Sequence, residues 1–154
     1  MKRNPALQDL SREHHDALKL ARDGKAAALS GDGALIAALA ARTVREFERE
    51  MEAHFQEEEA GLLPFLKNAG ESDLVWRTLA DHAALRALAK ALRQPDGETL
   101  RHFAEVLTSH VRFEERTLFE AAQRHGFAPT DEFSVVAAPT PAAAPPPAAP
   151  ALHR

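Results

Sequence analysis

Residues 110–126 read HVRFEERTLFEAAQRHG, a helix by its apolar spacing that carries a polar interruption. Phe103, Leu107, Leu118 and Ala121 set an apolar stripe, and His110 and Glu114 fall between them on the same face. A helix buries such a stripe against its neighbours, so both polar side chains point into a core. An imidazole and a carboxylate one turn apart in an apolar interior need a partner, because burying them unsatisfied is costly.

Working outward, the sequence predicts four helices. Asn4 followed by Pro5 is an N-cap with proline at the first helical position, and the spacing of Leu7, Leu10, Leu18 and Ala21 carries helix one to Ser30-Gly31. Asp32 caps a longer second helix with the stripe Ala37, Ala40, Val44, Phe47 and Met51, ending between Asn68 and Gly70 and loosened at Pro64. The third starts at Ser72 or Asp73, has Val75, Leu85, Ala89 and Leu92 inward, and stops at Gln94-Pro95. Asp96 caps the fourth, which closes at Gly126. Strand signals are absent and the connections are short, so the expected fold is all-α, an up-down-up-down antiparallel four-helix bundle over residues 1–128. Residues 129–154 read as a flexible Pro/Ala-rich tail, with six of the ten prolines beyond Ser134 and no means of building a core.

Composition narrows the chemistry. At 154 residues and 45% hydrophobic, the chain fits one domain that folds without staples. It has no cysteine, which excludes disulfides, thiolate metal sites and cysteine nucleophiles, so any metal binds through nitrogen and oxygen. A net charge of -4 spread over mixed acids and bases gives no basic stripe of the kind a nucleic-acid binder needs, and nucleic acid is not an expected partner. With neither a secretory signal nor a membrane span, a cytoplasmic location is expected.

His54 and Glu58 repeat the pair His110 and Glu114, and they continue the seam of Val44, Phe47 and Met51. His14 lies on the seam of helix one and His82 on that of helix three, so every helix brings a histidine to the core. In an up-down bundle all four fall roughly 15 to 24 Å from one end, a single layer. Glu13-His14 and Asp81-His82 each precede an apolar residue at plus three and Leu-Ala at plus six and seven, an internal repeat. His15 adjoins His14 as the alternative on helix one; the seam phase and the repeat favour His14. His102, His125 and His153 lie off the seams.

A lone seam histidine is usually a hydrogen-bonded core residue. Two buried glutamates with no Lys or Arg on the seams change the balance, because their charge is then uncompensated at several kcal/mol per ion. Four imidazoles and two carboxylates suit two divalent metals with bridging glutamates, which points to iron, then manganese or zinc.

On these residues the chain resembles the hemerythrin-like family of HHE cation-binding domains, over about residues 7 to 125, with HxxxE twice and Glu58-Glu59 leading to Pro64. The resemblance implies a di-iron centre with His14, His54, Glu58, His82, His110 and Glu114 as ligands. Oxygen-carrying members have HxxxH on the third helix, whereas Thr78 and Arg86 flank His82 here. The implied function is therefore that of a non-haem di-iron protein reacting with oxygen, peroxide or nitric oxide. An iron or oxygen sensor, or an iron store without turnover, is the alternative.

Overall fold

The computed structural model describes residues 4–128, and the tail expected from residue 129 lies outside them. Among the described residues all regular structure is helical. Helix α1 is Pro5–Ser30; α2 covers residues 33–68, α3 is Ser72–Ala91 and α4 covers residues 97–124. The polar residues that mark the starts of α1, α2 and α4 in sequence act as caps, whereas α3 begins at Ser72 without a side-chain cap. The Asn4 side chain accepts from the Ala6 amide, Asp32 from those of Ala34 and Leu35, and Asp96 from that of Thr99. Gly31, at φ 71°, takes the left-handed conformation that ends α1 and lets the chain reverse within two residues. The helices form a four-helix bundle in which each lies beside its sequence neighbours and α4 packs against α1.

Two of the helices are not uniform. In α2, wide π turns replace the α turn at Phe47–Met51 and Glu58–Leu62, and α4 has one at Glu114–Leu118. The carbonyls of Glu58 and Glu114 accept from the amides of Leu63 and Phe119, five residues on. The loosening expected at Pro64 thus takes the form of a π turn just before it. Proline is not its cause, since α4 makes the same turn at Glu114 with no proline nearby. Each π turn adds one residue and offsets the following stripe by about 100°. After Glu114 the buried residues become Leu118, Phe119, Ala121 and Ala122. Earlier in α2, Thr43 is buried on the stripe and Ala37 is exposed, a departure from the spacing read in sequence.

The core is divided in two. One apolar cluster gathers Leu20, Phe47, Phe55, Leu85, Phe103 and Leu107, and the other Leu7, Leu10, Leu66, Leu118 and Phe119. Between them lies a layer of buried histidine and glutamate. Asp32→Ala should remove the cap of α2 and lower the unfolding free energy by about 1 kcal/mol in urea titrations, with the helical content of the native state unchanged.

Candidate metal centre

The six polar residues read on the seams meet in that layer. Glu58, His82 and Glu114 are fully buried, and His14, His54 and His110 nearly so. His15, the alternative on α1, is exposed on the outer face, because it stands about 100° round the helix from His14. His102 is exposed too, and His125 pairs with Glu71 at 3.1 Å near the end of the bundle.

Short distances link these groups. His14 Nε2 is 2.9 Å from one Glu114 oxygen, and His110 Nε2 is 2.8 Å from the other. Glu58 Oε1 lies 3.0 Å from His54 Nε2 and 3.5 Å from His82 Nε2. Yet all four Nε2 atoms and all four carboxylate oxygens lack an aligned hydrogen-bond partner. Donor and acceptor are close without pointing at each other; they point at common centres. Two sets of donor atoms could each hold an ion: Glu58, His82, His110 and Glu114, and His14, His54 and Glu114. The nitrogen and oxygen donor set, with Glu114 common to both groups, fits a pair of divalent cations.

The other ring nitrogens explain how the imidazoles are held. His54 Nδ1 is bonded to Glu13, His82 Nδ1 to Glu59 at 2.7 Å, His110 Nδ1 to Asp81 at 3.0 Å, and His14 Nδ1 to Glu115 at 2.7 Å. Each pair crosses from one helix to the next, and together the four close a ring: α1 to α2, α2 to α3, α3 to α4, and α4 back to α1. Carboxylates at Nδ1 fix the tautomer that turns Nε2 toward a metal and raise its basicity. These four acids carry no role in the sequence reading. The signal was present in the dipeptides, since Glu13-His14 matches Asp81-His82 and Glu58-Glu59 matches Glu114-Glu115. Neighbours on a helix point about 100° apart, so each acid serves a histidine on another helix, which spacing cannot reveal.

Thr78 and Arg86, one turn either side of His82, supply no further donor to the centre. Thr78 turns its hydroxyl back to the Leu74 carbonyl at 2.8 Å. Arg86 bridges Glu52 and Glu59 at 2.9 Å each, which anchors the carboxylate behind His82. Phe55 stacks on the His82 ring, with centroids 3.9 Å apart. A cavity of about 40 Å³ reaches the layer from the α1–α2 side, past Ala17 and Met51 to His14, His54 and His110. One water needs roughly 10–15 Å³ by this measure, so the space suits molecules of two or three heavy atoms.

A family model for the hemerythrin HHE cation binding domain matches residues 6–122. The chain belongs to that family. No curated protein and no solved structure matches it. Membership makes this HHE domain a cation-binding one, and the match spans all six buried polar residues and the four carboxylates behind them.

The electrostatics correct one expectation from sequence. With no cation present, the charge of the glutamates is not left uncompensated, because the imidazoles take up protons. Burial lowers the pKa of His54, but Glu114 and Glu58 outweigh it and raise the value to about 11. His110, also lowered by burial, is raised by Glu114 and Asp81 to about 10. His82 is raised by Glu114 and Glu58 to about 9 against the same penalty. Of the two glutamates, burial and the facing Glu114 push Glu58 up; Glu114 is held well below the usual range, its burial outweighed by His110 and its other partners. A raised histidine contributes stability that is complete below its free value of 6.5 and is lost as pH rises through its folded value. Protein stripped of metal by chelation should therefore melt at progressively lower temperature as pH climbs from neutral toward about 10, and metal-loaded protein should change less. Calorimetry of both forms across that range checks this; parallel profiles would contradict it.

Proposed function

We propose that this HHE domain holds two iron ions and reacts with a small oxidant, namely oxygen, peroxide or nitric oxide. The observation that carries the reading is the convergence of four buried imidazole nitrogens and four carboxylate oxygens with no aligned partner. His14 and His54 would hold one ion, His82 and His110 the other, and Glu58 and Glu114 would bridge them. Iron there would supply one-electron chemistry at a position open to a small molecule.

The chain's own residues support reactivity in three ways. Glu13, Glu59, Asp81 and Glu115 hold the imidazoles in place, so little reorganisation accompanies a change of charge at the centre. Thr78 and Arg86 leave one imidazole fewer than the oxygen carriers have, which favours an open position. The cavity beside His14 and His54 admits a diatomic molecule or peroxide and excludes bulky substrates.

Purified protein is expected to carry about two irons per chain. Glu58→Ala or Glu114→Ala should lower that content sharply, by metal analysis; full retention in either variant would overturn the bridging assignment. Reduced, iron-loaded protein mixed with oxygen or peroxide in stopped flow should pass to a stable ferric state or consume the oxidant. Recovery of the reduced spectrum by degassing alone would identify a reversible carrier, and iron that stays ferrous in excess oxidant a store or sensor.

A further inference from the structure

The fold gathers charges that the linear sequence scatters. A groove of about 900 Å³ runs between α1 and α4 and is lined by Lys19, Arg22 and Lys25 from one helix and Arg112 and Arg116 from the other. All five are exposed, and among the described residues none forms an ion pair. Glu105, the acid in the groove, is hydrogen-bonded to Arg101 at 3.0 Å and also attracts Lys25, which leaves the groove with an excess of positive charge. The acids of α1 face the other way: Asp23 pairs with Arg42 of α2, and Asp16 lines the cavity on the α1–α2 side. On α2, by contrast, Glu46, Glu48 and Glu52 are paired with Arg42, Arg93 and Arg86. A chain of net charge -4 therefore presents one positive face between its first and last helices.

This groove also lies over a route to the metal layer. His15 and Arg116 line its end, and their sequence neighbours His14 and Glu115 form the hydrogen bond of 2.7 Å between α1 and α4. The Glu115 side chain is 29% exposed, while His14 Nε2 is buried in the centre. Between solvent and the candidate ligand His14 stands one side chain, that of Glu115.

We propose that the groove docks the acidic surface of a small electron-transfer protein and that Glu115 and His14 lie on the path of its electron, an inference that rests on the redox-active iron centre proposed above. In each encounter the partner's cofactor loses one electron and one ferric ion becomes ferrous; no bond forms or breaks. Charge complementarity selects an acidic partner and steers it to this face. The groove is short and rimmed by five charged arms, which suits a small, transient contact. Nucleic acid fits less well. The strip spans roughly 15 Å, a longer polymer would meet the acidic remainder of the surface, and the groove has no aromatic platform for bases.

The test uses the full chain, iron-loaded and oxidised, with a reduced acidic [2Fe–2S] ferredoxin as the probe. Binding should lie in the micromolar range at low salt and weaken steeply between roughly 0.01 M and 0.3 M salt. The double variant Lys19→Glu, Arg112→Glu should slow reduction of the iron by about tenfold or more while iron content, absorption spectrum and melting temperature stay as in the parent. Lys90→Glu on α3 should leave the rate unchanged. Equal rates in the double variant and the parent would overturn the proposal, as would binding without reduction. It would also fall if a single-stranded oligonucleotide bound more tightly than ferredoxin at matched salt, or if the groove proved to be filled by a second copy, seen as a salt-sensitive oligomer that the double variant abolishes. Reduction by ferredoxin of a centre inert to oxygen, peroxide and nitric oxide would leave the docking intact and overturn only the reactivity reading.

Discussion

Two carboxylates lie fully buried between two apolar clusters, and the rest of the structure answers to their desolvation. An isolated charge in such a place costs several kcal/mol even after relaxation. Among the described residues no lysine or arginine is buried beside them to offset it. Compensation has to come from the facing imidazoles, protonated, or from cations that replace those protons. Proton and metal compete for the same nitrogens, so binding a metal to this layer and discharging protons from it are one event.

The carboxylate ring makes that exchange compatible with a rigid bundle. Each imidazole is gripped at Nδ1 by an acid from the adjacent helix, so Nε2 is aimed without help from the metal. The same four contacts tie all four helices together at the level where apolar packing is interrupted. The π turns serve the layer as well. Those at Glu58 and Glu114 begin at the two buried carboxylates and return the next residues to the second apolar cluster, which continuous α geometry would turn aside.

The related halves of the bundle are not equal. Arg86 fixes Glu59 behind His82, and in the internal repeat its place on α1 is taken by Leu18. Ala17 stands where Leu85 stands in the other half; Leu85 is fully buried, whereas Ala17 borders the cavity. His82 is therefore backed by an ion-pair network and an aromatic ring, whereas His14, His54 and His110 border the cavity.

Much of this was legible in sequence because helices convert spacing into direction. Period 3.6 placed His14, His54, Glu58, His82, His110 and Glu114 on apolar seams, while Asn4, Asp32 and Asp96 fixed where helices begin and Gly31 and Gly126 where they end. The burial of these residues and the four-helix bundle followed. What tertiary structure decided is everything that passes between helices. Glu13, Asp81, Glu59 and Glu115 look like solvated neighbours of the seam residues until the adjacent helix brings a histidine to each. The five cations of the α1–α4 groove are separated by most of the chain and become one surface only when the first and last helices pack. The π turns escaped as well, since a one-residue change in helical phase leaves no mark in a spacing that several residues satisfy equally. Periodicity reports the face a side chain occupies, and only packing reports what it meets there.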